Sequence, residues 1–171
     1  MRSNDAARAG AVATVRGVDV RIGDHAVLRR VDLDVPGGAL TVLLGPNGAG
    51  KSTLLAVLAT LRRPVAGTVV VAGRALPRDA RAARAHLGFV AHRPRLYADL
   101  TARENIRLAA WLHGVRDPDE ATGEALERLA LADSAARPVA TLSHGMARRV
   151  AIARALVHDP ELLILDEPYD G

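Results

Sequence analysis

Apolar and charged residues alternate at short range over Val12–Val20 and Ala26–Val35, and both stretches are expected to be strands of a small sheet. Asp32, Leu33, Asp34 and Val35 alternate strictly, and Pro36-Gly37-Gly38 supplies the turn that closes them. Ala39–Leu44 is a continuous apolar run, the form of a buried strand, and Ser52–Leu61 is apolar and helix-prone. A turn at Pro64–Gly67 leads into the β-branched run Thr68–Ala72, which Gly73 ends. Residues 78–86 suit a short basic helix, and Leu87–Ala91 a short strand.

Beyond Pro94 the period changes to that of helices. Thr101–Gly114 reads as amphipathic, opened by Thr101 with Glu104 three places on, a capping box. A second helix is expected over Pro118–Leu131, broken near its start by Gly123, and a third over Met146–Val157, reached through the link Pro138–Leu142 and ended by His158-Asp159-Pro160. Glu161–Leu165 is a last apolar strand that runs out on Asp166-Glu167-Pro168. No internal repeat or low-complexity segment interrupts this order, which is that of an α/β protein.

Composition changes the picture in three places. At 171 residues the chain suits one domain with a substantial core, and only 2% aromatic content leaves Ala, Val and Leu to fill it. With no cysteine, disulfides and thiolate metal sites are excluded. No apolar run reaches the ~18 residues of a membrane helix, and Met1–Gly10 lacks the apolar core of a secretory signal. The net charge of +4 and a pI near 10.5 raise the question of an anionic partner. The arginines are mostly interspersed with acids, so no nucleic acid is expected. Arg74–Arg84 is the densest basic stretch, and Arg148, Arg149 and Arg154 form a second group.

Lys51 is the only lysine among 23 basic residues, and it sits in Gly45-Pro46-Asn47-Gly48-Ala49-Gly50-Lys51-Ser52-Thr53. Arginine offers a planar fork, lysine a compact charge on a thin stem, and a tight phosphate cradle takes the second. The stretch reads G-x-x-x-x-G-K-[ST] between an expected strand and an expected helix, the context a P-loop needs. Gly45, Gly48 and Gly50 let backbone N–H groups approach phosphate oxygens. Lys51 is expected on the β- and γ-phosphates of ATP, Ser52 on Mg²⁺, and Thr53 beside it. The helix dipole favours the same anion.

Leu162–Leu165 followed by Asp166-Glu167 is the Walker B arrangement, in which Asp166 holds Mg²⁺ and Glu167 orients and polarises the attacking water. Leu142-Ser143-His144-Gly145-Met146, just before the third expected helix, joins a hydroxyl and a glycine N–H at a helix start. Read alone, Ser143 is an ordinary helix cap. Read with the other two motifs, Ser143 and Gly145 are a second γ-phosphate site that caps a partner's nucleotide in a head-to-tail dimer.

In this order the three motifs resemble the ATPase domain of ABC transporters, the family set apart by its Leu-Ser-x-Gly signature. The resemblance covers about Val12 to Gly171. It implies an α/β P-loop NTPase core with an antiparallel β subdomain and a helical subdomain, as one nucleotide-binding domain over 1–171. About 12–92 would form the β subdomain and P-loop core, about 93–142 the helical subdomain, and about 143–171 the signature helix and Walker B strand. It further implies hydrolysis of ATP with Mg²⁺, a homodimer or heterodimer of ATPase subunits, membrane permease partners, and a peripheral place on the cytoplasmic face of the membrane. A soluble, non-transport ABC ATPase is the alternative, as is a fragment that binds ATP without turnover.

The finer match is to the haem-exporter ATPases of cytochrome c maturation and related drug or polysaccharide exporters. Leu96–Asn105 resembles their segment after the Q-loop, and Ser143-His144-Gly145-Met146 their form of the signature. His92 stands at the Q-loop glutamine position, where it would reach a water near Mg²⁺; a surface histidine at a strand end is the plainer reading. Ile22, or Arg21, occupies the position of the family's adenine-stacking aromatic. The chain ends at Gly171, and all six histidines precede Glu167. The family's switch histidine and its C-terminal strands are therefore expected to be missing, with an exposed sheet edge as the result.

Overall fold

The computed structural model describes residues 10–166. They fall into two compact units, one up to His86 and one from Leu87 onward.

In the first unit, strand β1 (Ala11–Ile22) reverses through Gly23-Asp24 into β2 (His25–Pro36), with Ile22 opposite His25. Gly23 takes φ +57, a left-handed value that side chains resist, so two residues suffice for the turn. Buried apolar positions fall on Ala13 and Val15, then on Val18 and Val20. The parity changes because pairing shifts between Val15 and Val18 on the β2 side and between Arg16 and Asp19 on the other. A bulge of this kind flips the alternation, which is how both halves of one long strand face the same core. Aspartates stitch the bulge: Asp32 Oδ1 accepts from Gly17 N and Asp19 Oδ1 from Arg30 N, each at 2.8 Å, and the Arg16 guanidinium pairs with Asp34.

Strand β3 (Ala66–Val71) lies antiparallel to β1, and β4 (Arg74–Leu76) antiparallel to β3, giving the order β2-β1-β3-β4. The sequence reading ended this region at Gly73. Instead Ala72 and Gly73 take φ +47 and +73, the pair of left-handed residues a two-residue hairpin needs, and the chain returns. Helix α1 (Lys51–Leu58) follows the glycine-rich loop and buries Leu54, Val57 and Leu58. A five-residue helix, α2 (Ala80–Arg84), closes the unit.

One expectation fails here. Ala39–Leu44 is not a strand: no described residue pairs with it, and Leu40, Val42 and Leu44 are 91%, 62% and 88% exposed. Apolar β-prone residues supply only the side chains of a strand. The ladder needs a neighbour, and among the described residues this run has none.

In the second unit, β5 (Leu87–Val90) runs parallel to β6 (Leu162–Leu165) in register from Leu87↔Leu162 to Val90↔Leu165. Gly88 is required there, because a Cβ would meet Ala155 O at 2.4 Å. Helices α3 (Ala102–Leu112), α4 (Pro118–Arg128) and α5 (His144–Leu156) close around Ile106, Leu126, Leu131 and Val150. The capping box on α3 is present: Thr101 Oγ1 accepts from Glu104 N at 3.1 Å, and Glu104 Oε2 accepts from Thr101 N at 2.8 Å. Helix α4 runs through Gly123 without a break, contrary to expectation. A mid-helix glycine costs about 1 kcal/mol, and the Asp117 cap, Pro118 at the first turn and buried Leu126 outweigh it.

Candidate functional site

In the first unit the residues expected to hold phosphate are contiguous. Gly45–Ala49 forms an exposed loop after Leu44, and Ala49 N donates to Pro46 O at 3.3 Å. Gly48 and Gly50 take φ +81 and +89, left-handed values that turn successive N–H groups to one side. Gly50 has a second reason to lack a side chain: a Cβ would meet Leu28 Cδ2 at 2.6 Å and Val27 O at 3.1 Å. Gly50 is the N-cap of α1, and no side chain caps that helix. Gly50 supplies no capping side chain to the first turn of α1, and an anion is a natural acceptor at such a helix start.

The Lys51 Nζ donates to the carbonyls of Gly45, at 2.8 Å, and Pro46, at 2.9 Å. Both acceptors belong to the loop itself, so the cation is folded over the residues that would surround a phosphate. Ser52 presents an exposed hydroxyl, a hard oxygen suited to Mg²⁺. Asn47 is exposed on the loop and Thr53 partly buried on the first turn of α1. Ile22 ends β1 and is half-exposed, while the neighbouring Arg21 guanidinium turns to Asp24 O at 2.6 Å.

In the second unit, α5 begins at Ser143, whose Oγ accepts from Met146 N at 3.3 Å. Ser143 is thus a helix cap whose residue is exposed at the helix start. A Cβ on Gly145 would meet nothing within 4 Å, so nothing in this chain's own packing demands glycine there. His92 follows β5, and Asp166 follows β6 with its N–H donating to Val90 O at 2.9 Å. Parallel pairing therefore delivers these two residues to the same end of the two-stranded sheet. Glu167 lies outside the described residues.

Sequence reasoning passed over the residue that ties this end together. Arg148, on α5, is buried, and its guanidinium donates to His92 O at 2.9 Å, Ala91 O at 3.4 Å and Asp166 O at 3.2 Å. It had been grouped only as a basic residue with Arg149 and Arg154. The signal was available: Arg148 stands three and seven residues before Ala151 and Ala155, on the stripe of α5 that is buried. Asn105 was likewise seen only as part of a motif. It is buried on α3, accepts from Tyr97 N at 2.9 Å, and donates to Tyr97 O and Thr101 O at 3.0 Å, fixing the segment that leads from His92 into the helices.

Residues 28–170 match the family model described as ABC transporter. A daunorubicin resistance ATP-binding protein of Streptomyces coeruleorubidus is 42% identical over 160 residues, covering 92% of this chain and 51% of the relative. A Nod factor export ATP-binding protein of Cupriavidus metallidurans is 40% identical, covering 94% and 54%. The chain thus spans about half the length of these relatives. Among solved structures, an ATP-binding subunit of an ABC transporter superposes with a TM-score of 0.85 at 29% identity over 93% of this chain and 67% of that one. An ATP-binding cassette solved as a dimer after hydrolysis, bound to ADP and Pi, gives 0.83 at 27%, over 92% of this chain and 75% of that one.

Proposed function

Because the chain belongs to the ABC transporter family, we propose that it binds ATP with Mg²⁺ and serves as the nucleotide-binding and ATP-hydrolysing part of an exporter. One observation carries the nucleotide reading. An uncapped helix start, two left-handed glycines and the sole lysine converge on Gly45–Thr53, with the lysine held by the loop's own carbonyls.

Each residue then has a task. The backbone N–H groups of Gly48, Ala49 and Gly50 are proposed to donate to the phosphate oxygens, with Gly45, Pro46 and Asn47 shaping the loop around them. On binding, Lys51 would exchange two neutral carbonyl acceptors for charged phosphate oxygens, adding an ion pair to the hydrogen bond. Ser52 and Asp166 are the oxygen donors proposed for Mg²⁺, which supplies charge neutralisation when bound. Glu167 is the proposed general base, and His92 the residue that holds a water nearby. Ser143 and Gly145 are proposed to meet the γ-phosphate held by a partner ATPase subunit in a head-to-tail dimer.

Partnership with membrane permease subunits and a peripheral, cytoplasmic-face location are part of this reading. No helix among the described residues is long and apolar enough to cross a membrane. The 12–92, 93–142 and 143–171 division into β and P-loop core, helical subdomain and signature region is proposed on the same resemblance. For cargo, relatives named for daunorubicin resistance and Nod factor export favour an organic molecule. Haem export for cytochrome c maturation is the narrower form, resting on Leu96–Asn105 and the Ser143–Met146 turn. A phosphate import ATP-binding protein of Natronomonas pharaonis is also 40% identical, so the direction of transport rests on that turn rather than on identity.

The test is calorimetric titration of the chain with MgATP. Lys51→Ala should lower affinity at least tenfold, since the charged donor is lost while the backbone cradle stays. Equal affinity in the variant would refute the site.

A further inference from the structure

The nucleotide reading leaves one basic surface of the first unit unused, at the turn that ends α1. Thr60 takes φ +62, and Leu61 N and Arg62 N donate back to Ala56 O at 2.8 and 3.1 Å. At the far end Val65 N donates to Asp19 O at 2.9 Å. The stretch 61–65 is thereby pinned at both ends, and Leu61 and Val65 stand 62% and 63% exposed. Arg62 and Arg63 between them are exposed, and no hydrogen bond or ion pair engages their side chains among the described residues.

Helix α2 adds to the same surface. Arg84 Nε donates to Thr60 Oγ1 at 2.7 Å, which fixes the helix beside the turn. Arg81, also exposed, sits three residues before Arg84 on the same helix face. Counter-charge is scarce. Between Asp34 and Asp99 the chain carries one acid, Asp79, and Arg78 already engages both its oxygens, at 3.0 and 2.9 Å. Residues 10–86 hold ten arginines and Lys51 against five aspartates, a net +6, whereas residues 87–166 hold ten arginines against eleven acids.

We propose that Leu61–Val65, with Arg81 and Arg84, is a docking surface for the anionic headgroups of a lipid bilayer. Guanidinium groups pair with phosphodiester oxygens in bidentate fashion. Leu61 and Val65 flank them, and a bilayer interface offers anionic oxygens and an apolar layer together. Nucleic acid would satisfy the arginines, but no aromatic side chain stands in the patch to stack on bases. An acidic polypeptide would satisfy them and leave Leu61 and Val65 in water. The inference uses no residue of the glycine-rich loop and stands apart from the nucleotide reading.

The experiment is flotation of the chain with phosphatidylcholine vesicles, and with vesicles carrying about one-third phosphatidylglycerol, at low and physiological salt. Binding is expected only to the anionic vesicles, and weaker as salt screens it. Arg62→Gln with Arg63→Gln should reduce it about thirtyfold, from a roughly fivefold loss per arginine. Arg103→Gln with Arg116→Gln, exposed arginines of the other unit, removes the same net charge and should leave binding within twofold. Arg81→Gln is the second variant, expected to lose about fivefold. Leu61→Ser should remove most binding that survives salt. Binding to neutral vesicles alone, no binding to either, or equal loss in both double variants would overturn the proposal. So would full displacement by poly-glutamate at matched charge, which would mark the surface as one for acidic protein.

Discussion

Among single residues, Arg148 is the one whose removal is most informative. It is a buried cation whose guanidinium reaches carbonyls at the ends of β5 and β6, the strands that carry His92 and Asp166. Arg148→Met keeps the volume and the apolar stem but strands at least two part-buried carbonyl acceptors, and each unmet bond costs about 1–3 kcal/mol. Arg148→Lys restores a charge but not a fork, so one point donor cannot serve both strand ends. In urea unfolding, Met should lose about 2–4 kcal/mol and Lys more than half of that. A Lys variant as stable as the parent would show that charge alone, not the bridging geometry, is what matters there. In the sequence the only sign of this is the spacing of Arg148 from Ala151 and Ala155, and an arginine beside Arg149 looks like a solvated charge until the helix face is known. The glycine-rich loop was legible for the opposite reason: its residue types are dictated by local backbone need, which Gly50 shows at φ +89 against Leu28.

Elements with local signals mostly match the sequence reading, the unbroken α4 excepted, whereas Ala39–Leu44 and β4 turn on a neighbour and do not. The β1–β2 hairpin follows from alternation and a Gly-Asp turn, and the capping box from Thr101 and Glu104 alone. Ala39–Leu44 has a strand's composition, but pairing is a property of two segments. β4 was missed because Arg-Ala-Leu is too short to show a period, and the bulge at Gly17 is visible only as a register shift. The capping box also carries a pH signature. The bond from Thr101 N, and then that from its hydroxyl, hold the Glu104 carboxyl below its ordinary range. With the folded-state pKa depressed, the stabilisation is complete above the ordinary glutamate pKa and is lost as pH falls through the folded value. Thr101→Ala, which removes the cap hydroxyl, should lower stability at neutral pH, and the gap between variant and parent should narrow in acid. Thermal unfolding from neutral pH to pH 3 measures it; a gap independent of pH would mean that Glu104 does not take part.

At the scale of the whole molecule, an apolar run with no ladder partner among the described residues leads straight into the glycine-rich loop. Leu40, Val42 and Leu44 lead directly into Gly45, and nothing described pairs with them. A ligand that binds only the folded loop stabilises by mass action, by about 2.7 kcal/mol at a hundred times its dissociation constant. For a chain of this length that corresponds to a rise of about 2–4 °C per kcal/mol in the unfolding midpoint. MgATP should therefore raise the midpoint of the parent chain by about 5–10 °C. Lys51→Ala should abolish most of that rise without altering the midpoint of the free protein by more than a degree or two, because the lysine's present partners are exposed loop carbonyls. Differential scanning fluorimetry with and without MgATP separates the possibilities. A ligand-dependent rise that survives in Lys51→Ala would place the nucleotide elsewhere. A fall in the free protein's midpoint would mean that the lysine braces the empty loop rather than waiting for phosphate.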